Sequence, residues 1–109
     1  MRLMECARFQ YRSETSDGYG NMVGEWAEAF EDRVDVRYLR GSEAVLAARL
    51  AGRQPIIITI RDSEAARRIA PEWRAIIRGV EYNIREPLRP TDQRRRLLEC
   101  LAESGVADG

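Results

Sequence analysis

Polar and apolar positions alternate with period two over residues 5–12. Cys6, Arg8 and Gln10 fall on one side and Ala7, Phe9 and Tyr11 on the other, which predicts a first strand. A polar stretch from Ser13 to Gly20 follows and closes with Asp17-Gly18-Tyr19-Gly20-Asn21, whose glycines permit a tight turn. Residues 22–39 carry two periods at once. Trp26, Phe30 and Val34 recur every four positions, as on a helix, while Val34, Val36 and Tyr38 alternate with Asp35 and Arg37, as on a strand. The reading adopted is a long, bent or bulged strand broken near Glu31-Asp32. Ser42 to Leu50 reads as a helix: Ser42 is a good N-cap, Glu43 suits the first turn, Ala44, Ala47 and Ala48 favour the helix, and Gly52 lies just beyond its end. Its narrow apolar stripe, Val45, Leu46 and Leu50, needs a surface to pack on.

Pro55 opens the strongest strand, Gln54 to Arg61, whose run Ile56-Ile57-Ile58-Thr59-Ile60 is β-branched throughout. Such a run predicts burial on one face and at least partial cover on the other. Asp62 to Pro71 reads as a loop with about one helical turn. Trp73 to Arg78 and Val80 to Glu86 read as a hairpin turning at Gly79. Pro87 and Pro90 bracket a loop. The segment Gln93 to Glu103 is open: Thr91 or Asp92 could cap a helix, yet Leu98, Cys100 and Ala102 alternate as on a strand, and propensity alone favours the helix.

Composition narrows the class. At 109 residues and 44% apolar content, the chain fits one domain spanning residues 1–109 with a core of its own. Charged residues reach 33%, yet 18 basic and 18 acidic residues cancel. That balance disfavours a free nucleic-acid binder and suits a protein that meets other proteins through mixed charge pairs. Every basic residue is arginine, a bias that fits a GC-rich genome first and an interface preference second. Without histidine, Ser-His-Asp and Cys-His arrangements are impossible and the usual zinc sets fail. No dinucleotide or P-loop spacing follows a strand. No enzyme activity, cofactor or metal is therefore expected. Cys6 and Cys100 are read as two buried thiols of a reducing compartment. The start of the chain lacks an apolar signal segment and no run reaches a membrane span, so the protein is expected in the cytoplasm when made, away from membranes.

Arg94-Arg95-Arg96 is a basic run, and Arg67-Arg68 a basic pair. Each suits a phosphate contact or a salt bridge at a subunit surface, and the salt bridge is favoured for a run this short. Trp26, Phe30, Trp73 and Tyr82 read as core or interface aromatics. Tyr19, held in a glycine loop, is the strongest single candidate for an interface anchor.

The order of these features has a counterpart. The first strand, the loop Asp17-Gly18-Tyr19-Gly20-Asn21, Gly24-Glu25-Trp26, Val34-Asp35-Val36-Arg37, Arg40-Gly41-Ser42-Glu43, Ile56 to Arg61, the Gly79 hairpin with Tyr82-Asn83-Ile84, and Leu98-Glu99-Cys100 follow one another over residues 5–103. This ordered set resembles the phage head–tail joining family, also called head closure or stopper proteins, found in tailed phages, prophages and gene transfer agents. The resemblance implies a mainly β protein, a small barrel of about six strands with one short helix in a middle insertion. It turns the reading of the last segment to a strand.

It further implies a non-catalytic neck subunit. Copies would form a ring of about six or twelve subunits around the DNA channel, below the portal or its adaptor and above the tail terminator or tail tube. The ring would retain packaged double-stranded DNA without reading its sequence, and a free copy would be monomeric. The insertion, about Gly41 to Pro55, would face the channel, with Arg49 and Arg53 towards DNA and Ser42 and Glu43 at its mouth. Loops 13–20 and 41–55 would order on docking. The alternatives are another neck ring, adaptor or tail terminator, and a small barrel that binds nucleic acid on its own.

Overall fold

The computed structural model describes residues 3–12, 15, 16, 22–91 and 96–105. Its main strands are β1 (Glu5–Arg12), β4 (Trp26–Tyr38), β5 (Gln54–Arg61), β6 (Arg74–Ile77), β7 (Val80–Ile84) and β9 (Leu97–Ser104). Shorter pieces are β2 (Thr15–Ser16), β3 (Met22–Val23) and β8 (Arg89–Pro90), and the helices are α1 (Glu43–Leu50) and α2 (Glu64–Arg67). The strand order is β5-β4-β1-β6-β7-β9-β8, every pairing is antiparallel, and β9 also pairs with β5 along its whole length. Six strands thus close into a ring, and closure removes the open edges that invite aggregation. β2 and β3 pair separately as a small ribbon.

Each long strand follows the sequence pattern, with one informative difference. β1 and β4 pair Phe9 with Phe30 but Gln10 with Glu28, so Ala29 is an extra, unpaired residue. The expected break near Glu31-Asp32 lies instead at this bulge, and residues 30–34 pair without interruption. A four-residue spacing falls on one face of a strand as well as on a helix, so Phe30 and Val34 share the inner face. The inserted residue carries Trp26 to the outer one.

The core is Ala7, Phe9, Val34, Ile56, Ile58, Ile60, Ala75, Ile77, Tyr82, Ile84, Leu98, Cys100 and Ala102 inside the ring, with Ala66 and Ile69 from the α2 segment. Phe9 and Phe30 stack with their ring centroids 4.9 Å apart. Pro55 through Ile60 are all buried, as the β-branched run predicted: β4 and β9 flank β5, and α1 touches it. Burying each isoleucine contributes about 1.5–3 kcal/mol. The hairpin turns through Arg78 (φ 52°) and Gly79 (φ 78°) between the paired Ile77 and Val80, a type I′ geometry that matches strand twist.

The last element is a strand. β9 bonds β5 on one side and β7 and β8 on the other. Tertiary pairing overrides the helical propensity of Leu, Glu and Ala there. The helical turn expected after Asp62 is present as α2, capped by Ser63, whose Oγ accepts from the Ala66 N–H at 3.0 Å. A correction concerns the thiols, which were expected to be buried. Both are free, but only Cys100 is buried; Cys6 is exposed on the outer face and donates to Glu31 Oε1 at 2.9 Å.

Burial pushes the Cys100 thiol from an ordinary 9.0 up to about 12. Burial, then the Tyr38 hydroxyl, pushes Tyr82 from 10.0 up to about 12. Both groups hold their protons more tightly when folded. The Cys100 contribution is therefore complete below about pH 9 and falls as pH rises through 9 to 12, and the Tyr82 contribution is complete below about pH 10 and falls through 10 to 12, each by about 1.4 kcal/mol per pH unit within its window. Cys100→Ala is expected to make the loss of stability between about pH 9 and pH 11 shallower, leaving the smaller part due to Cys6, whose hydrogen bond to Glu31 also raises its thiol, and, from about pH 10, the part due to Tyr82. Urea midpoints between pH 8 and 11 measure this; identical pH curves for the two proteins would contradict it.

Candidate functional site: the insertion and the two ends of the barrel

The chain leaves β4 at Tyr38 and enters β5 at Gln54, so the insertion occupies residues 39–53. Its stem is closed by hydrogen bonds. The Leu39 N–H donates to Pro55 O (3.2 Å), and Gln54 Nε2 donates to Leu39 O (3.3 Å) and Pro55 O (2.7 Å). Ser42 caps α1: its Oγ accepts from the Val45 N–H at 3.1 Å. Glu43 is exposed in the first turn, where the helix dipole favours it. After α1, the Arg53 N–H returns to Ala48 O at 2.8 Å.

Two further features root the insertion on the barrel. Arg53 Nη1 lies 3.2 Å from Glu103 Oε1 on β9, and Arg85 Nε lies 3.9 Å from the other oxygen of that carboxylate. Gly105 (φ 78°) approaches Gly52 so closely that an added Cβ would run into the Gly52 carbonyl oxygen. The two insertion arginines are thus placed differently. Arg53 is held by Glu103, while Arg49 is exposed and has no ion-pair partner among the described residues.

α1 does not bury the apolar stripe its sequence offers. Among its residues only Ala48 is buried, whereas Leu46 is 50% exposed and Leu50 89% exposed. Met4, Tyr38 and Val80 are also exposed. They sit at the start of β1, the end of β4 and the start of β7, which is the end of the barrel that carries the insertion.

The opposite end is built from the close of β1, the first half of β4, α2 and the approach to β6. There Tyr11 lies against Trp73, with ring centroids 5.4 Å apart. Tyr11, Phe30, Ala29, Ala65 and Trp73 line a groove of about 300 Å³ with Glu28 and Arg68 at its rim. Beside it, Arg12 and Arg74 stack on the Trp26 ring at 5.1 and 4.2 Å. Gln10, buried on the outer face of β1, donates to Glu28 at 2.6 Å and accepts from Arg74 Nε at 2.7 Å, while Arg8 pairs with Glu28. The Arg8 and Gln10 hydrogen bonds hold the Glu28 carboxyl below its ordinary range. Arg67 forms a two-point pair with Asp62, both contacts at 2.8 Å, which lowers the Asp62 carboxyl in the same way.

This surface is one of ion pairs made within the chain, with Arg78 to Glu5 and Arg89 to Glu99 among them. Exposed pairs of this kind contribute about 0–1 kcal/mol each, so they set surface complementarity more than stability. Among the described residues there is no group of three or more His, Cys, Asp or Glu placed to hold a metal. None of the described helices is long and apolar enough to cross a membrane.

Comparison with known proteins places the chain. The family model described as phage head completion protein matches residues 2–105. The chain belongs to the phage head completion protein family. It is thereby a structural component of the virion. Two solved structures share the fold of this head completion protein. One is a chain of the virion of a native gene transfer agent particle, 24% identical over 98% of this chain and 99% of that one, with a TM-score of 0.74. The other is the solution structure of protein SF1141 from Shigella flexneri 2a, 23% identical over 97% of this chain and 96% of that one, with a TM-score of 0.71. No curated protein matches the sequence.

The remaining sequence candidates fall as follows. Asp17, Tyr19, Asn21, Arg94 and Arg95 lie outside the described residues. Arg96 is exposed, and its carbonyl accepts from the Asp62 N–H at 2.8 Å. Ser42, Glu43, Arg49 and Arg53 are brought together on the insertion, and none of them lies at the groove. Sequence reading missed Glu103 as the partner of Arg53, because the contact joins positions far apart in the chain. It also missed the groove, because Tyr11, Phe30 and Trp73 meet only when β4, α2 and the approach to β6 are assembled around the end of β1. The unsatisfied stripe on α1 was visible: a short helix with two leucines and a stated need for a packing surface.

Proposed function

We propose that this head completion protein acts as one copy in a ring below the portal or its adaptor, where it retains packaged DNA and presents a surface to the tail. The observation that carries the reading is the family match over residues 2–105. The closed barrel supports it, since a protein that works by repeated contact needs a rigid body without open strand edges. So does a neutral surface rich in charge pairs, which suits neighbouring proteins better than free nucleic acid. The virion chain from the gene transfer agent, with the same fold over nearly its whole length, is a further support.

On this reading the insertion faces the channel. Arg49, exposed and unpaired among the described residues, is the group to meet phosphates, at most a non-specific contact. Arg53 serves instead to hold the insertion to β9 through Glu103. Ser42 and Glu43 open the helix at the channel mouth. The loop bearing Asp17, Tyr19 and Asn21 contacts a neighbouring protein, and Arg94 to Arg96 serve a salt bridge or a DNA contact. Electron cryomicroscopy of purified particles is the direct test. The expected result is ring density fitting this barrel between portal and tail, with the flank of the insertion that carries Arg49 turned to the axis. A particle in which the chain lies on the capsid shell or is absent from the neck would overturn the reading.

A further inference from the structure

The exposed α1 stripe and the groove lie at opposite ends of the barrel, and each has what the other lacks. On α1, residues three, four and seven apart share a face, so Glu43, Leu46 and Leu50 form one row on the side away from the buried Ala48. The two leucines are 50% and 89% exposed. The groove offers Tyr11, Phe30 and Trp73 as apolar walls and about 300 Å³ of space, a volume suited to a pair of aliphatic side chains. The charges match as well. Glu43 on the row and Arg68 on the groove rim are both exposed, and neither has an ion-pair partner among the described residues.

We propose that α1 of one copy docks into the groove of the next, with Leu46 and Leu50 against Tyr11, Phe30 and Trp73 and with Glu43 paired to Arg68. The inference deepens the ring reading and rests on it, since it names the surface through which copies join. Because donor and acceptor lie on different faces of one molecule, the contact is head-to-tail and closes into a ring when the rotation per copy allows. A single contact of this size is weak, which fits a monomer in free solution, and it becomes effective when many form together on a template. Arg49 lies on the flank of the docked row, so the contact leaves it free to face the channel.

The test uses a strain lacking the gene, complemented with the full chain or with Glu43→Arg, Arg68→Glu, the double reversal, or Leu50→Asp. Titres of DNA-carrying particles are compared, and circular dichroism of each purified chain checks that it is folded. Each single reversal and Leu50→Asp are expected to lower the titre about tenfold or more, and the double reversal to return it to near the unaltered level. If single reversals leave the titre unchanged while the uncomplemented strain yields no particles, the docking is wrong and the ring reading stands. A double reversal no better than either single one means that the groove or the row meets a different protein, which also overturns the proposal. An uncomplemented strain with a normal titre overturns the ring reading and the docking with it.

Discussion

Replacing Phe9 by alanine is expected to destabilise the protein by about 3–5 kcal/mol, a large part of the roughly 5–15 kcal/mol that holds a domain together. Phe9 is fully buried, stacks on Phe30 and pairs with Ala75 across the β1–β6 ladder. Removing the ring leaves a cavity at the centre of a closed barrel. The strands around it are bonded on both sides, so they relax little, and the cavity term adds fully to the lost transfer energy. Urea unfolding followed by circular dichroism measures this as a large fall in midpoint with an unchanged slope. A change below about 1 kcal/mol would mean that Phe9 is not a core residue.

The second large effect is expected from removing β9. A chain ending at Arg96 keeps every other strand yet loses the one that joins β5 to β7. The isoleucine-rich β5 then becomes an open edge, an invitation to intermolecular pairing. The truncated protein is expected to show no cooperative unfolding transition and to aggregate at micromolar concentration. Dispersed amide resonances and a sharp urea transition would contradict the closed-ring account. β9 also supplies Glu103 and leads into Gly105, so its loss detaches the insertion together with the barrel seam.

The parts of the fold that were legible in the sequence are those set by local pattern. Alternation marked β1, the β-branched run marked β5, Gly79 marked the hairpin and Ser42 marked the start of α1. The closing strand was not legible from its residues alone, because Leu97 to Ala102 favour a helix until two ladders claim them. The family resemblance supplied that strand. The bulge at Ala29 left no local sign, since it is defined by the register of β4 against β1. It moves Trp26 to the outer face, where Arg12 and Arg74 stack on it. The candidate site divides in the same way. Ser42, Glu43, Arg49 and Arg53 stand together because they share one insertion, which a linear reading captures. The Arg53–Glu103 pair and the aromatic groove depend on ring closure, which it does not.

The central claim is that this barrel completes the head by contact, with its strands closed on themselves and its working surfaces at its two ends. Deleting the gene and counting finished particles tests that most directly. The account predicts heads that package DNA but lose it or fail to take tails, with DNA-carrying, tailed particles restored when the gene is supplied in trans. Normal numbers of filled, tailed particles in the deletion strain would contradict it.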